Sequence, residues 1–262
     1  MSHVSLSTVI ITKNEERNIE ACLQSVGWVD EIIVVDAESS DQTQELARHY
    51  TPHVMGRPWE GYGPQKNYGI QRATREWILI LDADERVSSD LAHEIQERLT
   101  TWTSNDPVAY CIPRRNIFYG EWVRWGGAYP DLQIRLFRNG KATYNDVEIH
   151  ENLIVDGPIG TLEGFLEHYT ERHIVDHFRK FPLYITLAAQ ERGKSIAMVR
   201  WWHLLLNPLV TFAKKYVLKQ GFRDGIRGVI YAGFASMYTF GKYAKLWELA
   251  CGISSESASK KS

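Results

Sequence analysis

The stretch ILILDADERV, residues 78 to 87, runs four apolar residues directly into three carboxylates, Asp82, Asp84 and Glu85. A buried carboxylate without a partner is costly, so acids at the end of an apolar strand are there to hold something. Two carboxylates one residue apart make a hard, oxygen-rich site. It suits Mg2+ or Mn2+ sharing its coordination with a diphosphate, and such an ion acts as a Lewis acid on the leaving diphosphate. Asp-x-Asp alone is a weak signal, because solvated acids ahead of a helix give the same pattern. Context strengthens it: a second apolar run, EIIVVD at residues 31 to 36, also ends in an acid, Asp36.

The elements that must position these acids can be read from hydrophobic patterning. The stretch LSTVIITK, residues 6 to 13, is short, apolar and β-branched, as a buried strand requires. Asn14 is placed to cap a helix through Val26, with Glu15 and Glu16 in its first turn. EIIVVD is the second strand, and Ser40 or Asp41 can cap the helix after it. HVMGRPW reads as a third short strand, QKNYGIQRA as a helix and EWILILDAD as a fourth strand. SSDLAHEIQERL is a helix capped by Ser88 or Ser89. This alternation predicts an α/β fold, a mostly parallel sheet with helices on both faces. Ligands bind such sheets beyond the carboxyl ends of the strands. Thr12 to Glu15, Asp36 to Asp41 and Asp82 to Glu85 all gather there. From residue 108 the pattern changes to strands, VAYCIPRRNIFYG and DLQIRLFRNG, with Asn139-Gly140 as a hairpin turn. From about residue 173 it becomes helical.

At 262 residues the chain has room for one large domain or one with an appendage. Cys22, Cys111 and Cys251 are odd in number and far apart, which points to free thiols in a reducing compartment rather than a zinc site or disulfides. The N-terminus lacks a charged segment followed by a long apolar core, so no signal peptide is expected. The net charge of −2 hides a split. Residues 172 to 250 carry 13 Lys and Arg against 4 Asp and Glu, and the rest carries 17 against 28. An acidic first part and a basic, aromatic-rich second part imply two jobs. Nucleic acid is not expected as a partner, because the acidic part would repel it.

Four segments, TVIITKNEERNIEACLQSV, EIIVVDAESSDQT, QKNYGIQRATREWILILDADE and GGAYPDLQIRLFRNG with VEIHENL, together resemble the family 2 glycosyltransferases of GT-A fold. Within that family they are most similar to bacterial lipopolysaccharide core β-1,4-glucosyltransferases. The resemblance is strong over residues 4 to 155, and LKQGFRDGIRG extends it into the C-terminal part. It implies an inverting, metal-dependent hexosyltransferase that uses a nucleotide-diphosphate sugar, a UDP-sugar and specifically UDP-glucose being the expected donor. The implied acceptor is lipid-linked, such as lipopolysaccharide core.

Carried over by position, the resemblance gives Thr12, Asn14 and Glu15 to the nucleoside, though Asn14 and Glu15 would also serve as caps alone. Asp36 falls where the family's acid meets uracil or ribose, and Lys66 and Asn67 where base or phosphate is bound. Asp82 and Asp84 match the metal motif, with Asp84 the more direct ligand, and His150 resembles a third ligand. The general base of an inverting transfer is a carboxylate facing the acceptor hydroxyl. Asp131, in GGAYPD, falls at that position. The Glu-Asp pair common in the family is missing, so Glu151, in IHEN, is a rival. Arg135 and Arg138 either touch phosphate or line a strand face. The other enzyme class compatible with these features is a metal-dependent nucleotidyltransferase of similar architecture. It would carry a basic, Gly-rich loop after the first strand, where this chain has the acidic TKNEERN.

The expected organisation is a catalytic domain over residues 1–171, with a nucleotide-sugar half to about 105 and an acceptor half beyond. A helical region over 172–252 and a disordered tail over 253–262 follow. The longest uncharged runs, 201–213 and 228–241, are shorter than the ~20 apolar residues of a spanning helix. Trp201, Trp202, Phe212, Tyr216 and Trp247 interleave with Arg200, Lys214, Lys215 and Lys219, a pattern suited to interfacial helices on an anionic membrane. The expected place is the cytoplasm, peripheral on the inner face of the cell membrane. The other reading of these helices is packing on the catalytic domain or homo-oligomerisation.

Overall fold

The computed structural model describes residues 5–145, 152–170, 173–193 and 199–251. They form two compact units. The first comprises residues up to Arg115 together with Pro130–Thr170, and the second comprises Asn116–Tyr129 together with the chain from Glu171 onward. The helical unit thus reclaims a loop of the middle strands that the sequence boundary at residue 171 gave to the catalytic domain.

The first unit begins with β1 (Leu6–Thr12), α1 (Ile19–Ser25), β2 (Glu31–Asp36), α2 (Thr43–Arg48), β3 (Val54–Gly56), α3 (Tyr62–Ile70), β4 (Trp77–Asp82), β5 (Glu85–Val87) and α4 (Ser89–Thr100). Then comes β6 (Ala109–Phe118), whose end from Asn116 belongs with β7 (Glu121–Trp122) to the second unit; β8 (Asp131–Arg138), β9 (Ala142–Tyr144), β10 (Leu153–Val155), β11 (Ile159–Thr161) and β12 (Leu166–Tyr169) complete the first. The main sheet has the order β3-β2-β1-β4-β8-β6-β12-β5. The β1–β2, β2–β3 and β1–β4 pairs are parallel, whereas β8 lies antiparallel to β4 and β6.

Every residue of β1 is buried, because helices cover both faces. Leu6 and Ile10 enter a core with Ile19 and Leu23 of α1 and Leu91, Ile95 and Leu99 of α4. Val9 and Ile11 enter a second core on the other face, against Tyr68 and Ile70 of α3. Gly69 permits that approach, since a Cβ there would lie 2.3 Å from Cγ1 of Val9. Ser88 caps α4 as expected, its hydroxyl accepting from the Leu91 amide at 3.2 Å.

Two local expectations are corrected. Asn14 does not cap a helix: it adopts φ 54°, and α1 starts only at Ile19. Asn14 in the left-handed region turns the chain off β1, and the next residues form a separate turn with Asn18 and Ile19 amides bonded to the Glu15 carbonyl. Asn139-Gly140 does make a turn, with Gly140 at φ 77°, but not a hairpin between partners. β9 pairs with β10 instead, while the Asn139 side chain is held by the Ala73 and Arg75 carbonyls. The two-residue hairpin is at Tyr119-Gly120, both with positive φ, between the paired ends of β6 and β7.

The second unit continues with α5 (Ile174–Gly193), α6 (Trp201–Ala213), a π-helical turn (Lys214–Leu218), a short 3-10 turn (Gly221–Asp224) and α7 (Gly225–Ala250). Asp224 receives the Trp125 amide at 2.7 Å, and the Gly126 amide donates to the Lys219 carbonyl at 2.9 Å. No described helix is long and apolar enough to cross a membrane.

Candidate active site

At the carboxyl end of β4 the expected acids are joined into a chain of alternating charge. Oδ2 of Asp82 lies 2.6 Å from Nη2 of Arg135, and Oδ1 lies 3.3 Å from Nζ of Lys66. The same Arg135 nitrogen donates to Oε1 of Glu85 at 2.6 Å. Nη1 of Arg114 reaches that Glu85 oxygen at 3.1 Å, and its Nε and Nη2 fork onto Oδ2 of Asp131 at 3.0 and 2.7 Å. Three cations therefore alternate with three carboxylates from Lys66 on α3 to Asp131 at the start of β8.

Local structure explains this placement. Asp82 ends β4, Glu85 opens β5 and receives the Asp82 amide at 3.0 Å, and Arg135 projects from the antiparallel neighbour β8. Glu85 is fully buried and Arg135 nearly so. Burial raises the Asp82 pKa, but the charges of Arg135 and Lys66 outweigh it and hold the carboxyl far below the usual carboxylate range. Burial would make Arg135 easier to deprotonate; Asp82 and Glu85 more than reverse this. Cys22 lies under the site with its thiol 3.8 Å from the Asp82 carbonyl. Burial, then the charges of Glu85, Asp84 and Asp82, push that thiol well above its ordinary value, so it is an inert core group.

Asp84 stands apart from the chain. Its Oδ2 lies 3.4 Å from Nε2 of His168 on β12. Burial lowers the imidazole pKa, but the hydrogen bond and charge of Asp84 raise it above 6.5 overall. A carboxylate oxygen and an imidazole nitrogen this close are chemically suited to a divalent ion. Oδ1 of Asp82 adds a buried oxygen with no hydrogen bond, 3.3 Å from the Lys66 ammonium. Among the described residues no three His, Cys, Asp or Glu side chains converge as a metal cage. The donors fit an ion that takes its remaining ligands from a diphosphate, as Mg2+ does at substrate-sharing sites. His150 and Glu151 lie outside the described residues.

The other expected residues are placed as follows. Thr12 ends β1 with its hydroxyl buried and without a hydrogen bond. Asn14 accepts the Ser40 amide at 2.8 Å, and the Glu15 carboxylate accepts from Asn18 at 2.7 Å. Asp36 is fully buried, and its Oδ1 accepts from the Ser39 amide and from Gln44, at 2.8 and 2.6 Å. These side chains shape the β1 and β2 loops. The N-cap of α2 is Gln42, with no side-chain cap, whereas Asp41 accepts the Thr43 amide and hydroxyl, and its hydrogen bonds outweigh the effect of burial and lower its pKa. Asn67 is committed to the backbone of Tyr144, donating to its carbonyl at 2.8 Å and accepting its amide at 2.9 Å. Lys66 is buried, within 5.2 Å of the Tyr144 ring centre. Arg138 pairs with Glu76 at the surface, not with the site.

Three residues were missed as site residues. Glu85 was visible in the acidic run yet given no task; its burial depends on a strand, β12, eighty residues away. Arg114 sits in IPRRN, where nothing distinguishes it from Arg115. His168 lies in the last sheet strand, and only pairing of β12 with β5 brings it to Asp84.

Residues 7–158 match the model of glycosyl transferase family 2. The chain belongs to this family, and the mixed, mostly parallel sheet followed by a helical stretch is the GT-A arrangement that the resemblance implied. The family excludes the nucleotidyltransferase alternative. The chain is 29% identical over 250 residues to the lipopolysaccharide core biosynthesis glycosyltransferase LpsC of Rhizobium meliloti, covering 93% of this chain and 92% of that protein. It is also 29% identical over 255 residues to an uncharacterized glycosyltransferase, RT0209, of Rickettsia typhi, covering 94% and 87%. Among solved structures it is similar to S. aureus TarS 1-349 in complex with UDP-GlcNAc, with TM-score 0.46, 12% identity and coverage of 95% and 92%.

Proposed function

We propose that this family 2 glycosyltransferase moves a hexose, glucose from UDP-glucose, with inversion onto a hydroxyl of a lipid-linked glycan such as lipopolysaccharide core. The observation that carries the reading is the acid-ended strand β4, whose Asp82 is tied through Arg135, Glu85 and Arg114 to Asp131. A diphosphate-side acid and a candidate base are thereby fixed in one rigid array, which is how an enzyme supplies oriented charge without reorganisation. Similarity to LpsC supports a lipopolysaccharide core acceptor. The loops after β1 and β2, with Thr12, Asn14, Glu15 and Asp36, border the nucleoside. Lys66 offers positive charge to the diphosphate, and Asn67 keeps α3 in place beside it through Tyr144.

Asp84, with His168 and a share of Asp82, would hold Mg2+ or Mn2+. The ion supplies Lewis-acid stabilisation of the departing diphosphate. In the transfer, the acceptor oxygen forms a bond to the anomeric carbon while the bond from that carbon to the diphosphate oxygen breaks, and UDP leaves. Asp131 takes the acceptor's proton. To do so, Oδ1 exchanges its 2.9 Å hydrogen bond from Gln133 for the acceptor hydroxyl, while Arg114 keeps Oδ2 fixed. Glu151 is the competing base. The enzyme works in the cytoplasm, peripheral on the inner face of the membrane that carries its acceptor.

Calorimetric titration with UDP-, GDP- and TDP-sugars, with and without Mg2+ or Mn2+, tests this. UDP-glucose should bind in a metal-dependent way, and Asp84→Ala should abolish the metal-dependent part with the fold intact by circular dichroism. Transfer by Asp84→Ala at the parent rate would refute the metal assignment, and failure of every UDP-sugar to bind would refute the donor class.

A further inference from the structure

The outer surface of α6 is the reverse of what a solvated helix shows. Trp201, Leu205, Leu206, Leu209, Val210, Val217 and Leu218 are all exposed, with Leu218 at 76% and Trp201 at 67%. Their spacing, four and five residues along α6 and seven and eight from there to the π-helical turn that prolongs it, places them along one face. At 1.5 Å per residue this apolar stripe is roughly 25 Å long. Phe222 and Ile226, at 51% and 72% exposure, extend it past the 3-10 turn. The aromatic residues singled out by sequence divide: Trp201 lies on the stripe, whereas Trp202, Phe212 and Tyr216 are half-buried. Lys215 is also removed from the surface set, its ammonium 3.2 Å from the Tyr231 hydroxyl and 4.4 Å from that ring. Burial, aided by the neighbouring Lys214 charge, lowers its pKa.

Charge decides what covers the stripe. Between Glu191 and Asp224 the sequence has no acid and seven Lys or Arg residues. Arg200 precedes the stripe, Lys214 interrupts it, and Lys219 and Arg223 follow it, all exposed. A second copy of this chain meeting the same face about a two-fold axis would set these cations against their own images. An anionic lipid surface complements both features: apolar side chains enter the acyl boundary, while Lys and Arg stay at headgroup level.

We infer that α6 and its π-helical extension form an in-plane membrane anchor, inserting Trp201, Leu205, Leu206, Leu209, Val210, Val217 and Leu218 into an anionic leaflet, with Arg200, Lys214, Lys219 and Arg223 on the headgroups. The inference rests on the proposed lipid-linked acceptor for its purpose but not for its evidence. It replaces a purely electrostatic attachment with one that has a salt-resistant part.

Co-sedimentation of the full chain with vesicles of phosphatidylcholine alone, or with phosphatidylglycerol added, tests it. Binding should be strongest on anionic vesicles at low salt and fall, without vanishing, at high salt. Lys214→Gln with Lys219→Gln should weaken low-salt partitioning about 30-fold, from ~1 kcal/mol per surface cation. Leu205→Gln with Leu209→Gln should remove the salt-resistant fraction. Both leucines are exposed, so folding is preserved, and Ile154→Gln, at an exposed site in the other unit, should change nothing. Hydrolysis of a soluble UDP-sugar should be unaffected by these variants, which separates the anchor from the transferase reading. Absence of binding to anionic vesicles at any salt would overturn the inference. So would unchanged salt-resistant binding in the leucine variant, or a dimer in vesicle-free solution that the leucine substitutions dissolve.

Discussion

Glu85→Gln is the most informative single change in the catalytic unit, because glutamine keeps the shape and removes only charge. Glu85 accepts from Arg135 at 2.6 Å and Arg114 at 3.1 Å through Oε1, and from the Asp82 amide at 3.0 Å through Oε2. An amide has one acceptor oxygen. Whichever way it turns, its NH2 meets either the Asp82 N–H or two guanidinium groups, so a donor faces a donor. The cluster of Lys66, Arg114 and Arg135 against Asp82, Glu85 and Asp131 also loses its charge balance. Breaking a buried pair on one side costs ~3–5 kcal/mol, since the remaining charge stays buried. With a urea m-value of ~2 kcal/mol per M, the unfolding midpoint should fall by about 2 M. Glu76→Gln provides the control, because its partner Arg138 is exposed and such pairs contribute ~1 kcal/mol or less. If Glu85→Gln shifts the midpoint no more than Glu76→Gln, the buried chain of charge does not organise this unit.

The other expectations concern the catalytic groups and their protonation. Asp131→Asn should lower turnover ~10²–10⁴-fold while donor affinity stays near that of the parent, the signature of a lost general base; if Glu151→Gln shows this split in steady-state kinetics and Asp131→Asn does not, the base is Glu151. In metal-free protein His168 should titrate above 6.5 by NMR, and Asp84→Asn should bring it down, because burial then dominates. By linkage, the pair's contribution to stability is present below the unfolded pKa and is lost as pH rises through the folded one. A His168 value unchanged in Asp84→Asn would mean that the pair is not formed in solution. For Asp82 the sign is opposite: its depressed pKa contributes stability above the unfolded value of ~3.9, and this is lost as pH falls towards the folded value.

How much of this was legible in the sequence depended on the range of the interaction that fixes each residue. β1, β2 and β4 are continuous apolar runs buried on both faces, so composition alone identifies them. Their ends identify the candidate site, since parallel strands deliver their carboxyl-terminal residues to one edge. Ser88 was readable because a cap bonds within three residues. Asn14 was misread because the same side-chain chemistry serves a cap and a left-handed turn, and the later start of the apolar period at Ile19 was the discriminating sign. Asn139-Gly140 misled for a related reason: a turn dipeptide specifies a reversal, while the strand it returns to is chosen by longer-range pairing. Arg114, His168 and the burial of Glu85 could not be read, because each depends on which antiparallel strand lies beside which.

Those antiparallel additions give the acids of the site different tasks. Asp82 and Glu85 are three residues apart, yet both are neutralised by Arg135, delivered by β8, and they become fixed charge in a low-dielectric setting. Asp84 lies between them in the turn that joins β4 to β5, and its ion pair runs elsewhere. It meets His168 from β12 instead. A metal needs a carboxylate whose charge is not already spent on a guanidinium. By that criterion Asp84 is the main ligand in the proposed metal site and Asp82 the lesser one, its charge already shared with Lys66 and Arg135. Asp131 is intermediate: Arg114 engages one oxygen, and the other accepts from the neutral amide of Gln133. That asymmetry suits a base, because one oxygen fixes the orientation while the other can accept a proton. In the proposed mechanism, the strand that supplies each counter-charge therefore sorts the acids of this site into structural, metal-binding and basic ones.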